Sequence, residues 1–300
     1  MELVLPSPLV EVDWKIGGET HKIAVKRDDL IHPLISGNKW RKLSLVLEDA
    51  HEKRKQILVS FGGAWSNHLL ALSAAAKALD FKSVAFIRGD ELETDMAGQL
   101  AQFRQYGMEL LPVSRAAYRD KEALFNQFFG QRDDVYFIDE GGASDLAERG
   151  CEAILAENEG HNWRDIWLPA GTGTTLKGVA RFLAKKQALC QLHGVLAVQS
   201  ADFCNQLGLE LSAIYPQTQI HLPDNGPRFG KYSASQLAIG LDWYKQTGIL
   251  PDPVYGLKTL EAIHQSLEKQ NPGKTARVLW IHTGGLDGWA GFPEARLLFS

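Results

Sequence analysis

The chain alternates short apolar runs with longer segments in which apolar residues recur every three or four positions. The runs predict strands and the periodic segments predict amphipathic helices. Strands are predicted at Ile57–Phe61, Val84–Arg88, Glu109–Val113, Val135–Asp139, Ile166–Ala170, Val195–Gln199 and Val278–His282. Helices are predicted at Asn38–Lys53, Ser66–Leu79, Thr94–Tyr106, Ala117–Phe129, Thr174–Leu189, Ser233–Lys245 and Leu257–Lys269. This alternation indicates an α/β fold with a mainly parallel sheet, in which ligands bind beyond the carboxyl ends of the strands.

The predicted strands fall into two groups along the chain. The first four lie before Gly141-Gly142, which is predicted to mark a crossing between two lobes. A length of 300 residues also favours two domains, with one large α/β unit as the alternative. The Gly- and Pro-rich segment Pro223–Lys231 is interpreted either as a ligand-covering loop or as a simple surface connection.

Composition and charge narrow the function classes. A hydrophobic content of 45% and a charged content of 23% are typical of globular domains. The net charge of −4 argues against a nucleic-acid partner, and no apolar run reaches the ~18 residues of a membrane helix. The start of the chain does not resemble a signal peptide. Three cysteines without CxxC spacing, and no HExxH, favour the cytoplasm and no metal site.

The first of three glycine-rich segments, residues 60–68, runs from a predicted strand into a predicted helix. Ser66 and Asn67 stand near the start of that helix. They could simply cap the helix, since Ser and Asn are favoured there. The preceding pair Gly62-Gly63 has no capping role and instead allows a ligand to approach the backbone closely.

The second segment, Gly171-Thr172-Gly173-Thr174-Thr175, also lies between a strand and a helix. Glycines and hydroxyls before a helix N-terminus form an anion cradle, because free N–H groups and the helix dipole point at the ligand. The P-loop and dinucleotide patterns both fail here, so a single phosphate fits best. A plain tight turn is the alternative.

Two further residues stand out as candidate site residues. Thr283 ends the last predicted strand before Gly284-Gly285, where its hydroxyl either faces a ligand or caps the next turn. Lys39 lies at a basic helix start, where a positive charge opposes the helix dipole. It is either a solvated lysine or an amine of lowered pKa, the kind that forms a Schiff base with an aldehyde.

Six motifs lie along nearly the whole chain. They are KRDDL at 26–30, GNKWRKL at 37–43, SFGGAWSNH at 60–68, GTGTT at 171–175, DPVYG at 252–256 and HTGG at 282–285. Together they resemble the pyridoxal-phosphate enzymes of the tryptophan synthase β-like superfamily (fold type II). The branch they resemble most is the 1-aminocyclopropane-1-carboxylate deaminase / D-cysteine desulfhydrase family.

This resemblance implies roles for individual residues. Lys39 would form the Schiff base with pyridoxal 5′-phosphate, and Asn67 would hydrogen-bond the 3′ oxygen of the cofactor. Ser66 would lie near the substrate carboxylate or take part in proton transfer. Thr283 would face the pyridine nitrogen, and Tyr255 would be the tyrosine of the family's DPVY motif. The phosphate would bind to Gly171, Thr172, Gly173, Thr174 and Thr175.

Two positions depart from the family pattern. Gly256 stands where the deaminase branch has a glutamate that supports a protonated pyridine ring. A neutral hydroxyl at Thr283 makes the ring a weaker electron sink, which favours β-elimination over cyclopropane ring opening. Phe229 stands where the family has a second tyrosine. Tyr255 then works alone, Tyr232 substitutes for the missing hydroxyl, or the substrate is a different one. His68 either faces substrate or is a surface or packing histidine.

The resemblance implies two lobes of mainly parallel sheets flanked by helices, with the cofactor between them. The large cofactor-binding domain is predicted at 1–44 plus 146–300 and the small domain at 45–145. A homodimer acting on a small amino acid is expected, giving a 2-oxo acid and ammonia. The alternatives are 1-aminocyclopropane-1-carboxylate deamination, a phosphate-ligand enzyme without pyridoxal phosphate, and a non-catalytic homologue that binds the cofactor.

Overall fold

A computed structural model describes residues 1–35, 37–89, 98–223, 230–269 and 277–292 of the chain. The chain divides into two compact units. The first unit comprises residues 1–3 and 32–150, and the second comprises 4–31 and 151–300. The boundary predicted after residue 44 falls inside a helix, Asn38–Glu52, that belongs entirely to the first unit.

Ten β-strands and nine α-helices are defined within the described ranges. The strands are β1 (Leu9–Ile16), β2 (Glu19–Arg27), β3 (Ile57–Gly62), β4 (Lys82–Arg88), β5 (Met108–Val113), β6 (Val135–Phe137), β7 (Asp165–Ala170), β8 (Gln191–Leu196), β9 (Thr218–His221) and β10 (Val278–His282). The helices are α1 (Asn38–Glu52), α2 (Asn67–Ala78), α3 (Gln99–Gln105), α4 (Lys121–Phe129), α5 (Asp145–Ala156), α6 (Thr174–Lys185), α7 (Ala201–Ile214), α8 (Ala234–Thr247) and α9 (Gly256–Glu268).

Each unit is built on one sheet. The first unit has a four-stranded parallel sheet in the order β5-β4-β3-β6. The second has six strands in the order β1-β2-β10-β7-β8-β9, parallel except for the β1–β2 hairpin. Every residue of β3 and β7 is buried, as expected for central parallel strands with both faces covered. The predicted α/β fold with mainly parallel sheets is therefore confirmed.

Several elements lie outside the sequence-based prediction. The β1–β2 hairpin was missed because its alternation of apolar and charged residues contains no continuous apolar run. Helices α5 and α7 and the short edge strand β9 were missed as well. Strand β8 begins at Gln191, four residues before the predicted start, because polar residues open a strand that is otherwise buried. In the described part of the chain, no helix combines the length and apolar content needed to cross a membrane.

A polar network in the second unit links three neighbouring strands. His193 on β8 lies 3.1 Å from Asp165 Oδ1 through Nε2 and 3.0 Å from His221 Nε2 through Nδ1. The His193 ring also stacks on Trp167, with centroids 3.9 Å apart. Burial, and then the charge of His193, lowers the pKa of His221 to about 4. His221 is therefore neutral in the folded protein at neutral pH.

Candidate functional site

The carboxyl ends of β7 and β10 lie at the same edge of the second unit's sheet, because the two strands pair in parallel register. The loop Gly171–Gly173 follows β7, and Thr283 follows β10. The sheet therefore brings two sequence-predicted segments, far apart in the chain, to one edge. This is the edge at which open parallel sheets bind ligands.

The loop after β7 has the features of an anion cradle. Gly173 is the N-cap of α6 with a left-handed φ of +83°, and no side chain caps the first N–H groups. The hydroxyls of Thr172 and Thr174 are 2.9 Å apart. Gly171 and Thr172 are exposed, whereas Thr174 and Thr175 are buried. Uncapped N–H groups, paired hydroxyls and the positive end of the helix dipole converge there, a combination that suits a phosphate.

Tyr255 belongs to the same edge. A Cβ atom placed on Gly171 would lie 3.4 Å from the Tyr255 hydroxyl, so the tyrosine lies directly against the loop. Burial, and then the charge of Asp252, raises the pKa of Tyr255 above its usual value. The Tyr255 side chain is therefore a neutral phenol that can donate or pass on a proton.

Asp252 fixes the turn that carries Tyr255. Its buried carboxylate accepts three backbone hydrogen bonds, from Val254 at 3.0 Å and from Tyr255 and Gly256 at 2.7 Å each. Lys258 also stabilises this turn, because its buried amine donates a hydrogen bond to the carbonyl oxygen of Val254 at 2.9 Å. Asp252 and Lys258 were not singled out by sequence reasoning. An Asp placed two to four residues before a helix start is the signal that could have found the first.

Asp252→Ala is expected to lower the free energy of unfolding by about 3 kcal/mol, because it leaves three N–H groups without their acceptor. Urea unfolding measures the loss. Asp120→Ala is the matched control, since that carboxylate caps α4 through one exposed hydrogen bond, to Ala123; we expect about 1 kcal/mol there. Equal losses in the two variants would contradict the assignment.

Gly256, the first residue of α9, is one of the two positions that depart from the pattern implied by the family resemblance. A Cβ atom on it would lie 2.9 Å from Asp252 Oδ2 and 3.1 Å from Pro251 Cβ. The Asp252 carboxylate cannot move away freely, because it holds the three hydrogen bonds of the turn. This turn therefore favours glycine at position 256.

Thr283 is buried at the end of β10, and its neighbour His282 holds the strand end in place. His282 Nε2 donates to the Leu250 carbonyl at 2.8 Å, and Nδ1 accepts from Gly284 N–H at 3.2 Å. The HTGG segment is thus tied to the chain just before Asp252. The predicted site residues Thr283 and Tyr255 share this support.

In the first unit, Ser66 is the N-cap of α2 and Asn67 is the first residue of that helix. The Ser66 hydroxyl accepts from Leu69 N–H at 3.3 Å, so the capping alternative describes part of its role. Lys39 is the second residue of α1, preceded by Gly37 with a φ of +62°. All three side chains are partly exposed. They are held at the N-termini of two helices of one unit.

His68 is buried behind the start of α2. Its Nε2 lies 2.9 Å from the hydroxyl of Ser60 on β3. Burial is the main cause that lowers the pKa of His68 to about 3, and the charges of Lys39 and Lys42 add to it. The interior-packing alternative for His68 therefore describes its position in the fold.

Two buried histidines, His68 and His221, make the protein sensitive to acid. An unfolded histidine has a pKa of about 6.5, so the unfolded chain binds more protons below that value. Stability is full above pH 6.5 and falls as the pH drops toward the folded values of about 3 and about 4. Over this pH range, each histidine lowers the free energy of unfolding by up to about 1.4 kcal/mol for each pH unit of acidification. Urea unfolding between pH 7 and 5 tests this: His221→Gln should flatten the slope, whereas exposed His51→Gln should not.

The KRDDL motif serves the interior of the second unit. Buried Lys26 donates to the Ser7 carbonyl at 2.9 Å and forms an ion pair with Glu157 at 2.7 Å. Asp29 pairs with Arg27 at 2.7 Å. The motif therefore supports the end of β2. Phe229, the other departure from the family pattern, lies outside the described residues.

The residues present fit pyridoxal phosphate, the cofactor that the resemblance implies. Its phosphate requires an anion cradle, which the Gly171–Thr175 loop supplies. Gly171 is exposed there, and a Cβ atom on it would already be in van der Waals contact with Tyr255. Its aldehyde requires an amine, and its ring requires hydrogen-bonding groups. In the first unit, Lys39 is a candidate amine and Asn67 a candidate hydrogen-bonding group; in the second unit, Thr283 is a candidate hydrogen-bonding group.

Comparisons with known proteins agree with this assignment. A D-cysteine desulfhydrase of Yersinia pestis is 27% identical, with 88% of this chain and 86% of that protein covered. A bifunctional D-cysteine desulfhydrase/1-aminocyclopropane-1-carboxylate deaminase of Arabidopsis thaliana is 25% identical, covering 95% and 77%. The crystal structure of an ACC deaminase homologue has a TM-score of 0.77 at 23% identity, covering 100% of this chain and 94% of the other.

The family model of pyridoxal-phosphate dependent enzymes matches residues 1–284, a range that includes five of the six motifs in full and all of HTGG except Gly285. This match agrees with the anion cradle after β7, because a pyridoxal-phosphate enzyme must bind the phosphate group of its cofactor. The chain belongs to the family of pyridoxal-phosphate dependent enzymes.

Proposed function

We propose that this protein catalyses β-elimination from a small amino acid with a good leaving group at Cβ, of which D-cysteine is the first candidate. The products are a 2-oxo acid, ammonia and the leaving group. The proposal is supported by the relatives named for D-cysteine desulfhydrase and by the departures of this chain from the deaminase pattern.

One observation carries the choice of reaction. Buried Thr283 directly follows β10 and carries only a neutral hydroxyl toward the proposed pyridine position, and position 256 is a glycine without a carboxylate. When bound, pyridoxal phosphate supplies an electron sink for bond breaking at Cα. A hydroxyl holds a protonated pyridine less well than a carboxylate does, so reactions that need less carbanion stabilisation are favoured. Elimination of a thiolate is such a reaction.

The residues have the following proposed roles. Lys39 binds the cofactor aldehyde, and its amine, once released, takes the proton from Cα. Ser66 binds the substrate carboxylate, Asn67 the 3′ oxygen and Thr283 the pyridine nitrogen. The Tyr255 phenol, kept neutral by burial, delivers a proton to the leaving group. The phosphate is held by Gly171, Thr172, Gly173, Thr174 and Thr175.

The first experiment is the absorbance spectrum of the purified protein before and after borohydride reduction, with mass mapping of the modified peptide. Cofactor fixed on Lys39 supports the proposed site. Turnover is then compared for D-cysteine, L-cysteine, β-chloroalanine, D-serine and 1-aminocyclopropane-1-carboxylate. Release of sulfide from D-cysteine as the fastest reaction supports the proposal. A colourless protein that cannot be loaded with pyridoxal phosphate would contradict it.

Deamination of 1-aminocyclopropane-1-carboxylate is the second candidate, favoured by the bifunctional relative. It would show itself as faster turnover of the cyclopropane substrate than of D-cysteine in the same comparison. The proposal also includes a homodimer and a location in the cytoplasm, which rest on the family resemblance and on the scarcity of cysteines. Light scattering and cell fractionation measure these two properties.

A further inference from the structure

Arg88 is an exposed cation at the end of β4, in the first unit. In the part of the chain that the structure describes, its guanidinium forms neither a hydrogen bond nor an ion pair. Two other cations of this unit are paired, Lys121 with Glu140 at 3.2 Å and Arg132 with Asp134 at 2.7 Å. Arg88 therefore keeps its charge and its five N–H donors available for a ligand.

Two contacts place the Arg88 guanidinium beside the loop between β3 and α2. Its Cζ lies 5.8 Å from the centroid of the Tyr118 ring, a distance at which a cation is attracted by an aromatic ring. Tyr118 is buried, and its ring meets that of Phe61 edge to face at 5.8 Å. Nη2 of Arg88 lies 3.7 Å from the position that a Cβ atom on Gly63 would take. A fixed ring therefore holds the guanidinium next to the loop that leads to Ser66.

The same loop connects Arg88 with the proposed substrate site. Gly62 of β3 pairs with Ile87 of β4 in parallel register, so the two strands end at the same edge of the sheet. A Cβ atom on Gly62 would lie 2.9 Å from the Ser66 hydroxyl oxygen, whereas the neighbouring Gly63 faces Arg88. Ser66 and Arg88 thus flank two consecutive residues, whose Cα atoms are about 3.8 Å apart. A ligand of the size of a small amino acid can reach both side chains.

We propose that Arg88 is a specificity-determining residue, which binds an oxyanion attached to Cβ of the substrate. The preferred substrates are then small amino acids with a phosphate or a sulfonate at Cβ, which are O-phosphoserine and cysteate. This inference rests on the proposed function, in which Ser66 binds the α-carboxylate and the group on Cβ leaves. A guanidinium forms paired, charge-assisted hydrogen bonds with such oxyanions. It also stabilises the negative charge that the leaving group carries away.

The proposed reaction needs water and no oxidant or reductant. The bond between Cβ and the phosphate oxygen or the sulfonate sulfur breaks, and its electron pair stays with the leaving group. The Cα proton passes to the amine of Lys39, as in the proposed function. With one water molecule, the products are a 2-oxo acid, ammonium and either hydrogen phosphate or hydrogen sulfite.

Aspartate and asparagine test the binding of the anion without turnover. The two amino acids have nearly the same shape, but only aspartate carries an anion on Cβ. Both enantiomers of each are titrated by calorimetry into the full chain loaded with pyridoxal phosphate. We expect the wild type to bind the better aspartate enantiomer about tenfold or more tightly than the matching asparagine, the effect of a charge-assisted hydrogen bond. Equal affinities for the two amino acids in the wild type would overturn the proposal.

Variants of Arg88 show whether the guanidinium causes this preference. Arg88→Gln should abolish the preference for aspartate, whereas Arg88→Lys should retain part of it, because the charge remains without the planar fork. Arg132→Gln is the matched control, since Arg132 precedes β6 and so lies at the opposite edge of the same parallel sheet. Its preference should equal that of the wild type. A preference for aspartate that survives in Arg88→Gln would overturn the proposal.

Turnover then identifies the oxyanion. Release of phosphate from O-phosphoserine and of sulfite from cysteate is compared with release of chloride from β-chloroalanine, whose substituent is neutral. We expect kcat/KM for the better oxyanion substrate to fall about tenfold or more in Arg88→Gln, and that for β-chloroalanine to fall less than about twofold. A purely structural role of Arg88 would lower the values for all substrates equally, and that result would overturn the proposal. A wild type that turns over β-chloroalanine but neither oxyanion substrate would overturn it as well.

The two proposals fail in different ways. If the loaded wild type releases no leaving group from any of these substrates or from D-cysteine, the proposed β-elimination fails, while the calorimetric comparison of aspartate with asparagine still decides the role of Arg88. If β-chloroalanine is turned over but aspartate is not preferred to asparagine, only the inference about Arg88 fails.

Discussion

Lys39→Ala is expected to abolish borohydride-trappable attachment of pyridoxal phosphate and to lower turnover by about a thousandfold or more. The amine at the start of α1 has two proposed tasks, which are binding the aldehyde and moving the Cα proton. Loss of a proton-transferring group alone costs about a hundred- to ten-thousandfold. Absorbance after loading with pyridoxal phosphate, and the initial rate with the best substrate, measure the two effects.

Lys53→Ala is the control for the loss of a lysine from the same region. Lys53 follows α1 at its other end, where it forms a largely exposed ion pair with Asp49 at 2.7 Å. We expect its absorbance and turnover to equal those of the wild type. Full turnover in Lys39→Ala would refute the assignment of the Schiff-base lysine.

Gly173→Ala is expected to lower the free energy of unfolding by about 3 kcal/mol and to weaken binding of pyridoxal phosphate at least about tenfold. An alanine at φ +83° costs about 1–2 kcal/mol. Its Cβ would also lie 2.6 Å from Leu207 Cδ1, a side chain buried in the core that cannot move without loss of packing. The forced shift falls on the N-cap of α6, where the phosphate is proposed to bind. Urea unfolding and titration with pyridoxal phosphate measure the two losses.

Gly248→Ala separates the two causes. Gly248 ends α8 with a similar φ of +71°, but nothing lies within 4 Å of the added Cβ. We expect only the backbone cost, about 1 kcal/mol, and unchanged affinity for the cofactor. If Gly173→Ala bound pyridoxal phosphate as tightly as Gly248→Ala does, the loop after β7 would not be the phosphate site.

Sequence patterns identified the central strands and the loops that follow them, because buried parallel strands are continuous apolar runs and glycines mark their exits. The loop after β7 illustrates this: two glycines and three threonines predicted an anion cradle, and the fold supplies its left-handed N-cap at Gly173. The family resemblance then added roles for Lys39, Asn67 and Thr283, which remain predictions.

Other features depend on contacts between distant parts of the chain. The hydrogen bond between His68 and Ser60 depends on where the folded chain places the two side chains, which the periodicity of the sequence does not reveal. The same is true of the hydrogen bond that the Asp252 carboxylate accepts from the N–H of Tyr255. The β1–β2 hairpin was missed for a related reason, since its burial depends on β10, more than 250 residues later. Helix α5 lies outside the prediction although its buried residues Ala147, Cys151, Ile154 and Leu155 follow helical spacing.

The pairing of β2 with β10 also sets the order in which the chain can complete its sheets during synthesis. Residues 32–150 carry all four described strands of the first unit and are translated before β7. The β1–β2 hairpin is translated before those strands, yet its parallel neighbour β10 follows all the other strands that the structure describes. The six-stranded sheet of the second unit, which carries the loop after β7, is therefore complete only after β10 has been made, more than 250 residues after β2.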